Sequence, residues 1–457
     1  MLPDVALLEI FHIHLFFNGH ILLYDWYKLV HVCRKWRNVI FGSPRRLRLR
    51  IYCTARTPVR DTLDAWPPLP IVVWGYGHKD WGIDGIIAAL EHNDRVCEID
   101  FREIAQLESV LEAMQKPFPE LTKLVLTNGS YLDREYQRAQ DLPDSFLGGF
   151  APRLQSLSLT NISFRGLPKL LLSATHLIHL GLCGIPDSRY ISPEALATCL
   201  SVLTRLESLE VGLRYFPNWN RRRSASQTRI LVPGLTYLSF HGSSKYLEDL
   251  VSRIDAPLLC NLTVTFFLRR IFDIPQLAQF IYRTPNLKAR GDACVKFFDW
   301  RSSVIFPQTF GRHLELGFYH PEGMSDRDLS SLAQVCNSLS THQNLITSVE
   351  RLYIQCSLVT MEWKQWEDDI ESGQWLELLR AFISVKDLYI SSELTPRIAP
   401  ALQELVEEGV TGVLPALQTL FLEELPLSAP FKAIEHLIEQ FVSARQLAGH
   451  PIAVSLW

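Results

Sequence analysis

A short apolar pattern, Leu-x-x-Leu-x-Leu or a near variant, returns along most of this 457-residue chain, and it constrains the fold more than any other feature. It runs through Leu121, Leu124 and Leu126, then Leu154, Leu157 and Leu159, Leu177, Leu180 and Leu182, and Leu206, Leu209 and Val211. It continues at Leu235, Leu238 and Phe240, and at Leu259, Leu262 and Val264. Later copies are Val349, Leu352 and Ile354, then Val385, Leu388 and Ile390, then Leu417, Leu420 and Leu422. The last two apolar positions of each unit alternate as in a strand, so both face one side. The first lies three residues earlier, where the chain runs into the strand.

Segments between the units have helical spacing. Residues 103–115 place Ile104, Leu107, Val110, Leu111 and Met114 on one face. Ser192-Pro193-Glu194 reads as a cap and first-turn proline ahead of Leu196, Leu200 and Leu203. Ser325 and Asp328 suggest a capping box before Leu329, Leu332, Val335 and Leu339. Residues 430–446 carry Phe431, Ile434, Leu437, Ile438, Phe441 and Val442. Strand and helix in alternation with short links predict parallel strands with helices on the outer face. One unit cannot bury its own apolar stripe, and stacked units share a continuous core.

The pattern resembles the leucine-rich repeat, with a looser period. Successive units lie 23 residues apart at the tightest, Leu154 to Leu177, and 36 at the loosest, Val349 to Val385. The Asn or Cys expected three residues after the last leucine is replaced by Gly129, Ile162, Ile185, Arg214, Ser243 and Phe267. The loops must satisfy their backbone groups another way, so an irregular solenoid is expected. Residues 284–320 fit poorly: Arg290 stands where a second leucine should follow Leu287, and Leu314 and Leu316 are left to supply a degenerate strand.

Residues 1–42 lack the repeat. They read as helices through Leu7, Leu8, Ile10 and Phe11, then Trp26, Leu29, Val30, Val32, Cys33 and Trp36. An alternating basic piece, residues 44–51, suggests a strand. Residues 56–82, rich in Pro, Gly and Trp, read as an irregular linker or cap. The expected division is a helical domain over 1–50, a linker and N-terminal cap over 51–90, and the repeat solenoid over 91–457.

Leu2-Pro3-Asp4, Leu7-Leu8-Glu9-Ile10-Phe11, Val32-Cys33-Arg34-Lys35-Trp36 and Ser43-Pro44 together resemble the F-box motif. Here the connection over residues 16–25 is longer than the motif's own. Beyond this piece, the chain is similar to a large basidiomycete fungal group of F-box proteins. That likeness is carried by residues 29–47, by Trp66-Pro67-Pro68-Leu69-Pro70-Ile71 and by Trp375-Leu376-Glu377-Leu378-Leu379-Arg380-Ala381-Phe382. The resemblance implies a helical bundle docked on a Skp-type adaptor and, through it, a cullin scaffold. Leu2, Pro3, Leu7, Leu8, Ile10, Phe11, Leu29, Val32, Cys33 and Trp36 are the adaptor-binding candidates. A piece of this size carries more apolar side chains than it can bury internally, which itself predicts a partner. The expected role is a non-catalytic substrate receptor of a ubiquitin ligase; a repeat scaffold without the ligase link is the alternative.

The remaining features add little chemistry. Asn220-Arg221-Arg222-Arg223-Ser224 is a basic loop; Arg221, Arg222 and Arg223 suit an acidic or phosphorylated substrate, against the plainer reading of an exposed loop. Trp363, Trp366 and Trp375 read as irregular solenoid packing. His176 and His179 diverge, as do His12 and His14, so no metal or cofactor is expected. No His-Glu-x-x-His, P-loop or Gly-x-Ser-x-Gly occurs. A balance of 45 basic against 49 acidic residues argues against a nucleic-acid partner. Nine scattered cysteines without a Cys-x-x-Cys pair suggest reduced thiols in cytoplasm or nucleus. No stretch is long and apolar enough to predict a membrane span.

Overall fold

The structure is a computed structural model and describes residues 2–17, 29–42, 48–66, 68–76, 82–103, 106–128, 140–163, 167–185, 191–213, 229–267, 272–288, 291–298, 301–308, 311–319, 326–342, 346–356, 372–408, 412–423 and 429–457. Ser43-Pro44, the connection over residues 16–25 beyond Phe17, Arg221–Arg223, Ser325, Trp363 and Trp366 lie outside the described residues. The chain divides into two compact units, residues 1–214 and 215–457.

The first unit opens with helices α1 (Asp4–Phe17) and α2 (Arg34–Gly42). Then follow β1 (Leu49–Tyr52), α3 (Val59–Ala65), β2 (Ile71–Tyr76), α4 (Ile83–Leu90), β3 (Val96–Arg102), α5 (Leu107–Ala113) and β4 (Lys123–Thr127). A short pair comes next, β5 (Gln140–Asp141) with β7 (Ile162–Ser163), on either side of β6 (Ser156–Thr160). The unit ends with α6 (Leu167–Ser173), β8 (His179–Ile185), α7 (Pro193–Leu200) and β9 (Ser208–Leu213). Strands β1, β2, β3, β4, β6, β8 and β9 pair in that order, all parallel. Their register puts Ile51, Val73, Ile99, Leu124, Leu157, Leu180 and Leu209 in one buried column. Leu121, Leu154, Leu177 and Leu206 are buried at the turns before the strands, as their place in the repeat predicts.

The loop chemistry that the missing Asn left open is partly supplied one residue earlier. Asn161, two positions after Leu159, adopts a left-handed φ of 58° and donates its Nδ2–H to the Asn128 carbonyl of the preceding unit at 3.1 Å. Backbone bonds Asn128 N–H to Thr160 O (3.0 Å) and Asn161 N–H to Cys183 O (2.8 Å) extend the ladder past the strand ends. Ser192 caps α7 as expected, accepting from Ala195 N–H at 3.1 Å.

The second unit contains β10 (Ile230–Leu231), β11 (Tyr237–Gly242), α8 (Ser244–Arg253), β12 (Ile254–Asp255), β13 (Asn261–Phe267), α9 (Pro275–Arg283), β14 (Asp292–Phe298), β15 (Arg301–Pro307) and β16 (His313–Tyr319). It continues through α10 (Asp326–His342), β17 (Arg351–Cys356), α11 (Ser372–Arg380), β18 (Asp387–Ile390), α12 (Thr395–Glu408), β19 (Thr419–Leu422), α13 (Ala429–Leu447) and β20 (Ala453–Leu456). The strand order is β11, β13, β16, β15, β14, β17, β18, β19, β20, and β10 pairs separately with β12. Leu238, Leu262, Leu314, Phe306, Ala293, Leu352, Leu388 and Leu420 form its buried column.

Two expectations need correction. Residues 56–82 are not wholly irregular: they contain α3 and β2, and the parallel sheet begins at Leu49, not at residue 91. Ile71, Val72 and Val73 are all buried, so this strand reads as a continuous apolar run and lacks the alternating signature. The degenerate stretch also holds more than the single strand expected from Leu314 and Leu316, which is β16. β14 and β15 precede it as a hairpin, and β15 runs antiparallel to both neighbours. Two residues separate the hairpin strands, too few for the crossover a parallel pair requires.

Candidate functional site

The N-terminal helices present apolar side chains on two sides. Leu7, Leu8 and Phe11 point inward and are buried. The Phe11 ring lies 4.8 Å from Trp36, which is half-buried. At about 100° per residue, Val5, Ile10 and Ile13 fall on the other half of α1. They are 64%, 47% and 53% exposed, and Leu2 and Val32 are similarly open. Lys35 joins the two helices, donating from Nζ to the Leu2 carbonyl at 3.1 Å with Asp4 Oδ1 at 3.4 Å. Cys33 caps α2: its Sγ accepts from Trp36 N–H at 3.4 Å and its carbonyl from Arg37 N–H at 3.1 Å.

The adaptor candidates therefore divide. Leu2, Pro3, Ile10, Val32 and Cys33 are exposed, and Leu29 is half-buried. Leu7, Leu8 and Phe11 are buried, and the Phe11 ring packs against Trp36. Val5 and Ile13 are exposed on the outer side of α1, where reading the helix as a wheel rather than as a run of leucines would have placed them.

The sheet side opposite the leucine columns differs between units. From β3 to β9 it is mainly polar, with Glu98, Lys123, Ser156, His179 and Ser208 in one row. In the second unit it is aromatic over β17, β18 and β19. Register aligns Tyr353, Tyr389 and Phe421 across β17, β18 and β19. Their rings stack face to face, Tyr353 on Tyr389 at 4.3 Å and Tyr389 on Phe421 at 4.3 Å. Trp457 meets Tyr389 edge-on at 5.5 Å and Tyr353 at 6.2 Å. Burial, then the neighbouring Tyr389, raises the Tyr353 phenol above its usual pKa, with Arg351 pulling the other way.

Two ion pairs lie beside this row. Arg351 grips Asp292 with two bonds of 2.6 and 3.0 Å, and Lys386 bonds Glu350 at 2.9 Å. Further along the same side, His241 packs edge-on against Phe267 (4.9 Å) and Tyr319 (5.7 Å), and Arg301 faces Glu315 at 3.0 Å. Burial, and then the positive charge of Arg301, pushes His241 down to about 4.

Arg221, Arg222 and Arg223 fall outside the described residues, so the basic loop contributes no geometry. Trp375 is buried against Phe297 at 5.8 Å, in keeping with its reading as packing. His176 Nδ1 lies 3.0 Å from the Pro152 carbonyl. Among the described residues no three His, Cys, Asp or Glu side chains converge as metal ligands, and no helix is long and apolar enough to cross a membrane. None of the nine cysteines forms a disulfide.

No protein-family model matches the chain, and no curated protein matches it. Among solved structures the chain is similar to the leucine-rich repeat-containing protein LegL7 from Legionella pneumophila. That similarity has 13% identity and a TM-score of 0.28, over 86% of this chain and 97% of that one. The strand–helix repeat with mostly parallel pairing is therefore defined by this chain's own register.

Proposed function

We propose that this chain is the substrate-recognition subunit of a Skp–cullin–F-box ubiquitin ligase, with residues 2–42 docking on the adaptor and the repeats holding a protein substrate. The observation that carries the reading is a helix, α1, buried on one side through Leu7, Leu8 and Phe11 and left apolar and open on the other through Val5, Ile10 and Ile13. An apolar helix side of this kind suits a hydrophobic groove on a partner. The F-box resemblance names the partner, a Skp-type adaptor, and through it a cullin. The chain itself is then non-catalytic: it raises the local concentration of substrate lysines near ubiquitin activated elsewhere in the assembly. Nine cysteines without a disulfide among them suit a reducing compartment, the cytoplasm or nucleus.

The test is co-purification with a fungal Skp adaptor, using the intact chain and an Ile10→Glu/Val32→Glu variant. Both residues are exposed, so the variant keeps its fold, and capture by the intact chain with loss in the variant is expected. A folded intact chain that captures no adaptor refutes the ligase reading. A repeat scaffold without a ligase link is the second reading. The aromatic sheet side of the second unit favours it, because that surface stands without the N-terminal helices.

A further inference from the structure

We propose that the edge of β19 and the aromatic row beside it form a strand-addition site. Residues 453–457 fill this site in cis, and an extended, uncharged partner segment bearing an aromatic residue fills it by displacing them.

The chain's own segment shows how such a ligand sits. β20 pairs parallel with β19, Thr419 opposite Ala453 through Leu422 opposite Leu456. Ala453 N–H donates to Gln418 O at 2.8 Å and Trp457 N–H to Leu422 O at 3.2 Å. Beyond the backbone, one side chain engages: the Trp457 ring lies edge-on to Tyr389 and Tyr353, and its Nε1–H donates to Ile390 O at 3.4 Å. Main-chain bonds along an edge with one anchoring side chain is the way a peptide binds by β-augmentation.

The segment gains little burial by being there. All four residues of β20 are exposed. Val454 and Leu456 continue the columns of Leu420 and Leu422, yet remain 47% and 72% open. Elements with few buried apolar contacts open at low free energy. The base from which the strand hangs is firmly held. Arg445 of α13 is wholly buried and donates from Nη1 to Leu414 O at 3.3 Å and from Nη2 to Leu417 O at 3.2 Å. Gly449 follows at a φ of +80°, with nothing within 4 Å of where a Cβ would stand. The chain is tied to the helix end as far as His450, whose N–H donates to Arg445 O at 2.9 Å, so the helix can stay in place while the strand swings beyond His450. The ligand chemistry follows from the segment already in place. Residues 453–457 carry no charged side chain, and Trp457 is the anchor, so the site takes an uncharged segment with an aromatic residue.

The inference rests on reading this chain as a protein-binding receptor, and not on its link to an adaptor. The probe is a fluorescein-labelled peptide, His-Pro-Ile-Ala-Val-Ser-Leu-Trp, the sequence of residues 450–457. The protein is the full chain carrying Ser455→Pro and Trp457→Ala, which removes a ladder donor and the anchor. Fluorescence polarisation is expected to show binding to this variant and at least tenfold weaker binding to the intact chain. Replacing the peptide's Trp by Ala is expected to weaken binding at least tenfold. A folded variant that does not take up the peptide, or an intact chain that binds it equally, overturns the proposal. Hydrogen exchange on the unaltered chain provides an independent check. The amides of residues 453–457 are expected to exchange at least a hundredfold faster than those of β18, and equal protection overturns the proposal. Peptide binding without adaptor capture would leave this site standing and remove the ligase reading alone.

Discussion

Helix α9 begins without a capping side chain of its own, and its stability is expected to depend on Glu248 of the preceding helix. Ile274 holds the cap position and cannot accept a hydrogen bond. Pro275 brings no N–H to satisfy. The next two amides, Gln276 and Leu277, donate to Glu248 Oε2 and Oε1 at 2.9 and 2.7 Å, and Ala278 N–H reaches Ile274 O at 3.0 Å. Every N–H of the first turn is thus accounted for, two of them by one carboxylate that is 2% exposed. Replacing Glu248 by Ala strands both amides. Each hydrogen bond to a charged group is worth about 1.5–3 kcal/mol, and losing a cap costs about 1 kcal/mol, so a total of about 3 kcal/mol is expected. Glu248→Gln keeps an acceptor for one amide and is expected to cost about half as much. Urea denaturation of the three proteins, read by far-ultraviolet circular dichroism, gives the differences. A cost under about 1 kcal/mol for the Ala variant, or equal costs for Ala and Gln, would refute the accounting.

Other predictions follow from burial. Leu8→Ala opens a cavity beneath α1 and is expected to destabilise the N-terminal helices by about 3 kcal/mol, whereas Ile10→Glu leaves the melting temperature unchanged; calorimetry separates the two. His241 is held near 4 when folded against an ordinary 6.5, so the unfolded chain binds the proton more readily between those values. Stability is therefore expected to fall as pH drops from 6.5 toward 4, by at most about 3 kcal/mol, and His241→Gln should flatten that slope in denaturant titrations. Cys33 is exposed, while burial pushes the Cys336 thiol up to about 12. Cys33 is expected to react first with iodoacetamide, its alkylation is expected to block adaptor capture, and peptide mapping by mass spectrometry reads the order.

The leucine columns were legible because each unit repeats the same two strand positions, and the register places Leu124, Leu157, Leu180 and Leu209 side by side. The aromatic row was legible too, though unread: Tyr353, Tyr389 and Phe421 each sit between the last two apolar residues of a unit. Alternation alone places such residues on the side away from the core. β2 escaped because Ile71, Val72, Val73 and Trp74 are apolar on both sides of the strand and leave no alternation to show. The β14–β15 hairpin escaped because the search was for a strand–helix unit, while Ala293, Val295 and Phe297, then Val304 and Phe306, carry only strand spacing.

Local periodicity fixes which residues form strands and helices and which side of each is apolar, since both follow from backbone geometry within one element. Sequence therefore determined that this is a strand–helix repeat chain preceded by apolar helices. What lies across from a side chain depends on residues far away in the chain, and only the tertiary structure decided that. It turned Leu7, Leu8 and Phe11 inward and left Val5, Ile10 and Ile13 outside, although all six are apolar. It brought Glu248 beneath a helix that begins 27 residues later, and it laid Trp457 against Tyr389. Burial and hydrogen-bond satisfaction are properties of neighbours in space, and a linear pattern holds only half of each pair.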